Sequence, residues 1–217
     1  MHFFDAWTEL GPIDLLRILS PALLLLIAIV IPGRNTARLT ALGMAIVVPF
    51  LRELGVTSWI MAGWVLLWVA VAWLARGGGL ARRPLAAPRG MIETGAIGFL
   101  LALALLALLL AAVARQDLAP EDGRRASLGI IVVGLGLLHL MIRRHARRAT
   151  VALAALGLGL QVLDGAARGA EPPGTVGPAG WVLLATAVTV ALTGRIAANR
   201  ERHAGSAWVS DAHDLHD

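Results

Sequence analysis

Few side chains in this sequence are placed where they could move a proton or bind a ligand. Glu93, His139 and Asp164 are the ionisable residues that stand out within or beside long apolar runs. A titratable group at membrane depth is costly to place, so it marks a candidate proton path by default. Glu93 lies one turn into its run, His139 about one turn from the end of another, and Asp164 closes a third. Glu93 and Asp164 also have structural readings. A carboxylate at a helix N-terminus is favoured by the helix dipole, and one at an interface reaches water. Arg52 and Glu53 end a further run together and are placed to neutralise each other. No acidic residue falls near the middle of any run.

Other chemistries are excluded or thinly supported. Cysteine is absent, so this chain holds no disulfide, thiolate metal site or iron–sulfur cluster. No Walker loop, dinucleotide fingerprint, nucleophile triad or two-histidine metal motif is present. His213 and His216 sit among aspartates at the chain's end, but a metal site needs more converging ligands. That tail reads as solvated, or as docking on a partner through Trp208 and Leu215. Trp59, Trp64, Trp68 and Trp73 follow one another at angles of about 140°, 40° and 140° on a helix, so they form no single stripe. Trp59 and Trp73 fall near the ends of their run, where tryptophan anchors to the interface; quinone stacking on Trp64 or Trp68 is the alternative. No residue is assigned a catalytic, cofactor-binding or metal-ligating role, and no cofactor is expected.

The elements that must position these groups are apolar helices. Hydrophobic residues make up 58% of the chain and charged ones 15%, and mean hydropathy is +0.75. A soluble domain of this size does not tolerate that balance. Seven stretches, at about 15–32, 39–55, 57–75, 91–113, 127–142, 149–164 and 179–197, approach the length a bilayer requires. The second is short and contains Pro49. With seven crossings, one side collects thirteen arginines: 34, 38, 76, 82, 83, 89, 143, 144, 147, 148, 195, 200 and 202. The other collects six: Arg17, Arg52, Arg115, Arg124, Arg125 and Arg168. Cationic loops stay in the cytoplasm. The expected fold is therefore all-α, a polytopic membrane protein of about seven transmembrane helices, N-terminus outside and C-terminus cytoplasmic. The acidic flank of the first stretch and the Pro32-Gly33-Arg34 after it argue against a cleaved signal peptide. The pI of about 11.4 follows from topology-setting arginines that also meet anionic lipids, so no nucleic-acid partner is expected.

The chain divides into a three-span segment over 1–76, a basic cytoplasmic loop over 77–90, and a fourth span with its outer loop over 91–126. A second three-span unit over 127–198 and a cytoplasmic tail over 199–217 follow. Small residues recur at helical spacing at Ala107/Ala111, Ala155/Gly159 and Ala187/Ala191, faces that let helices approach closely.

The run Leu138-His-Leu-Met-Ile-Arg-Arg-His145 joins two apolar spans through a basic turn. A span, an outer loop, a last span, the basic exit Arg195…Arg200-Glu-Arg202 and the Val209-Ser-Asp-Ala-His-Asp214 tail follow. This part resembles the small K subunit of bacterial complex I. The whole chain, with further spans ahead of that part, resembles component E of hydrogenase-4. Local similarity covers about 128–217, with Ile142-Arg143-Arg144 as its best-marked piece. The resemblance implies a bacterial cytoplasmic-membrane subunit packed against an antiporter-like subunit in a complex I-like or group 4 hydrogenase-like respiratory assembly that couples redox chemistry to ion translocation. The K family carries a membrane-embedded glutamate in each of its last two helices. Here Thr150–Leu163 and Trp181–Gly194 contain no carboxylate, so the expected role is structural rather than catalytic. A small stand-alone transporter and a membrane anchor for a cytoplasmic partner are the alternatives.

Overall fold

The computed structural model describes residues 10–31, 35–76, 119–142, 146–169 and 178–204, with positions 100, 104, 107, 108, 110, 111 and 115 between them. Helix accounts for 91% of the structure and there is no strand among the described residues. Among the described residues six α-helices are delimited: α1 (Pro12–Val30), α2 (Thr36–Val47), α3 (Ser58–Leu74), α4 (Pro120–Ile142), α5 (Ala146–Arg168) and α6 (Pro178–Ala204).

Prolines and charges set the helix limits. Pro12, Pro120 and Pro178 open α1, α4 and α6, positions where the missing N–H costs nothing. Glu121 and Asp122 occupy the first turn of α4 and complement its dipole. They carry the helix seven residues ahead of the apolar stretch expected from 127. Likewise α6 runs on through Arg200-Glu201-Arg202 to Ala204, past the expected end at 197. Pro21 lies inside α1 and leaves the Arg17 carbonyl without its intrahelical donor. The Ser20 hydroxyl donates to that carbonyl at 2.6 Å and fills the gap. Pro49 has the opposite outcome. α2 stops at Val47 and continues as two 3-10 turns, Val48–Phe50 and Arg52–Leu54. Gly55 then reverses the chain at φ +55°, a conformation that strains any residue with a Cβ.

Among the described residues, four helices are long and apolar enough to cross a membrane: Pro12–Val30, Pro120–Met141, Arg147–Arg168 and Pro178–His203. Thr36–Phe50 and Ser58–Leu74 are apolar but shorter. The stretch expected at 91–113 lies almost wholly outside the described residues; Leu100, Ala104, Ala107, Leu108, Leu110 and Ala111 within it are helical.

α5 is the centre of the bundle, with 67% of its span buried against 22% for α6 and 33% for α1. It runs antiparallel to α4 at glycine-limited distance. A Cβ on Gly159 would stand 2.9 Å from both the Gly129 carbonyl oxygen and the Val133 nitrogen, and one on Gly136 would stand 3.1 Å from the Ala152 oxygen. Against α6, Gly157 leaves no room for a Cβ beside Thr186. α3 and α6 lie parallel, with Leu183 over Gly63 and Leu74 over Gly194. One buried cluster joins side chains of all six helices, so the first three share a core with the last three. Trp64 and Trp68 are fully buried in it, while Trp59 and Trp73 are 88% and 66% exposed. That split follows from their angular spacing.

Candidate functional site: the charged ends of the bundle

Ionisable residues gather at two ends, and the ends differ. At one, Arg168 of α5 pairs with Asp164 at 3.0 Å and donates to the Gly55 carbonyl at 3.4 Å. Arg17 of α1 meets Asp14 at 3.5 Å and Glu53 at 3.7 Å. Arg125 meets Asp122 at 3.3 Å at the start of α4. Gly165 packs under the Leu54 and Glu53 carbonyls, and Gly169 faces the Asp122 carboxylate, so these groups share one end. Arginines 17, 52, 124, 125 and 168 there are matched by Asp14, Glu53, Glu121, Asp122 and Asp164.

The opposite end is built on Arg147. Its Nε and Nη2 donate to the two carboxylate oxygens of Glu201 on α6. Its Nη1 donates to the Leu74 carbonyl at 2.8 Å and also to the Arg76 carbonyl. One planar guanidinium thus ties the start of α5 to the C-terminal ends of α3 and α6. It satisfies carbonyls that a helix end leaves open, at the negative pole of the α3 dipole. Beside it, the Arg76 guanidinium lies 4.4 Å from the Trp73 ring centroid. Among the described residues, seven arginines, 38, 76, 147, 148, 195, 200 and 202, stand at this end with one acid, Glu201.

Between the ends the bundle is poor in chemistry. Every Asp and Glu among the described residues lies at or near a helix end. The buried hydroxyls of Ser127, Thr150 and Thr186 donate back to carbonyls of their own helices, at 2.9, 2.7 and 2.6 Å. Thr189 and Thr193 do the same. The buried Nε1 atoms of Trp64 and Trp68 find no partner among the described residues, and neither does Gln161. Gln161 is fully buried in α5, about 10 Å of helix rise from Arg168.

Of the three candidate proton-path residues, His139 and Asp164 are not brought together. Glu93 lies outside the described residues. His139 is fully buried in the last turn of α4. Asp164 belongs to the opposite end, tied to Arg168. The proposed neutralisation of Glu53 by Arg52 is corrected: Glu53 faces Arg17, because α1 packs alongside the 3-10 turns, and Arg52 is exposed. Of the small-residue pairs, Ala155 and Gly159 lie in the core around α5. Ala187 and Ala191 line a groove between α3 and α6, and Ala107 and Ala111 are exposed. No group of three metal-ligating side chains occurs among the described residues.

Sequence reasoning passed over Gln161 and the Arg147–Glu201 pair. The first was marked by being a lone amide in an apolar run. The second carried no local signal, since its partners are 54 residues apart. Comparison of the chain with family models, curated proteins and solved structures gives no match.

Proposed function

We propose that this chain is a non-catalytic, multi-pass subunit of the bacterial cytoplasmic membrane. Its role is to pack against an antiporter-like subunit in a complex I-like or group 4 hydrogenase-like respiratory assembly. The observation that carries the structural role is the position of the carboxylates. Those of the described residues stand at or near helix ends, and the buried hydroxyls of Ser127, Thr150 and Thr186 are turned back onto their own helices. A proton relay needs groups that exchange protons along its length, and alanine, leucine and a self-bonded threonine do not. The parent assembly rests on the resemblance of the 138–145 turn and the spans after it. Packing by glycine and alanine supports the same reading, since close helix approach is how membrane subunits gain dispersion energy where lipid removes the hydrophobic drive.

Seven crossings are part of this proposal. α3 ends at the Arg147 end and α4 begins at the Arg168 end, which supports a crossing between residues 76 and 120. α2 with its two 3-10 turns offers up to about 30 Å of rise, enough for the hydrocarbon core. The arginine-rich end is then cytoplasmic.

Affinity purification of the tagged chain in mild detergent tests the role. Recovery of a large antiporter-like membrane subunit in stoichiometric amount is the expected result. A stable, monodisperse single chain that moves a solute in liposomes overturns it and favours a transporter.

A further inference from the structure

The groove between α3 and α6 encloses about 550 Å³, and its walls are apolar. Gly63, Ala70 and Leu74 form one side, and Leu184, Ala187 and Ala191 the other. From Gly63 to Leu74 it extends about 16 Å along the helix axis, close to the roughly 15 Å depth of one leaflet's hydrocarbon. It is not closed off by the bundle: Ala191 and Leu184 are exposed.

Its two mouths differ in charge. Gly180, at the Arg168 end, has open space where a Cβ would stand, and neither α3 nor α6 carries a cation in its first turns there. At the other end, Arg195 follows Ala191 by one turn on the same face of α6 and is exposed. Across from it, Arg76 follows Leu74 on α3, its guanidinium held over the exposed Trp73 ring. An apolar slot of one leaflet's depth, ending between two exposed guanidiniums and an interfacial tryptophan, has the chemistry of a single ligand class.

We propose that the α3–α6 groove is a binding site for an anionic phospholipid. One acyl chain lies along Ala187 and Ala191, and the headgroup phosphate meets Arg76 and Arg195. Guanidinium pairs with phosphate through two parallel hydrogen bonds, and basic pockets between spans on the cytoplasmic side bind acidic headgroups. The absence of side chains beyond Cβ at 187 and 191 is what leaves room for the chain. The site rests on the membrane reading above, though not on the parent assembly.

Native mass spectrometry of the full chain in mild detergent tests it, with dioleoylphosphatidylglycerol and dioleoylphosphatidylcholine as probes. The expected result is a retained phosphatidylglycerol adduct that outcompetes phosphatidylcholine. Arg195→Gln should lower its occupancy about fivefold, the effect of one surface cation. The double variant Ala187→Leu/Ala191→Leu should abolish it by filling the slot. Ala185→Leu and Arg200→Gln, off the groove face, should leave it unchanged. Equal retention of both lipids, or adducts indifferent to both Arg195→Gln and the groove-filling pair, overturns the site. So does efficient disulfide formation between cysteines placed at 191 and 104, which would put the chain's own helix in the groove. Adducts are read on the isolated chain, so failure to recover a partner subunit leaves this result standing.

Discussion

Arg147 shows how much one side chain can organise. Its bidentate pair with Glu201 and its bonds to the Leu74 and Arg76 carbonyls use most of the donors a guanidinium has. Arg147→Ala removes all of them and leaves a part-buried carboxylate and a helix end without partners. We expect a loss on the order of 1–3 kcal/mol, read as a lower midpoint of thermal unfolding in detergent. Arg147→Lys keeps the charge but not the fork and should fall between the two. An alanine variant that melts with the wild type would show that the clasp is incidental. Gln161 makes the converse case. Its buried carboxamide has no partner among the described residues, so Gln161→Leu should be neutral or stabilising by up to about 2 kcal/mol. Marked destabilisation would instead point to a buried water or a protein group satisfied by the amide. At this scale the sequence is legible where angle alone decides, as for the inward Trp64 and Trp68. It is not legible where the partner comes from another helix: nothing local to Glu53 distinguishes Arg52 from Arg17.

Helices obey more local rules, and their existence was plain in the apolar runs while their ends were not. Hydropathy stops at the first charge, but helical hydrogen bonding does not, so α4 and α6 extend through PEDGRR and RER. Pro49 was visible as a flaw in the second span, yet its result, a change to 3-10 turns and a glycine reversal, depends on how Leu51 and Leu54 bury. Glycine spacing hinted at close packing; which glycines matter depends on the antiparallel register of α4 and α5. Gly159→Ala would press a methyl into the Gly129 oxygen and Val133 nitrogen, each 2.9 Å away. Backbone cannot rotate aside as a side chain can, so the helices must separate and lose dispersion contacts. A destabilisation of about 1–3 kcal/mol is expected. Gly123→Ala, in α4 with open space at its Cβ, should be neutral or gain up to about 1 kcal/mol through helix propensity alone. The two variants, compared by unfolding in the same detergent, separate packing from propensity. If both behave alike, the α4–α5 approach is looser than its geometry implies.

At the scale of the molecule, charge and connectivity constrain each other. At the Arg168 end Arg17, Arg125 and Arg168 pair with carboxylates, whereas at the Arg147 end seven arginines among the described residues stand with one acid, Glu201. Retention of unmatched cations on the cytoplasmic side fixes an orientation only if the ends face different compartments. The helix directions make the same demand from geometry: Glu201 of α6 meets Arg147, while Asp122 of α4 lies by Gly169 at the far end. A cysteine at Glu121 and one at His203, both exposed positions, should then report opposite sides. The native chain has no cysteine to interfere. We expect a membrane-impermeant maleimide to label Glu121→Cys in intact cells and His203→Cys only after the membrane is opened. Glutamine at Arg195, Arg200 and Arg202 together would reduce the arginines on the Arg147 side of the sequence from thirteen to ten, against six on the other. Ten against six still favours the same orientation, and the labelling pattern should hold. Labelling of both positions from one side would mean that α4, α5 and α6 do not make three crossings, and the seven-span topology would fail with it.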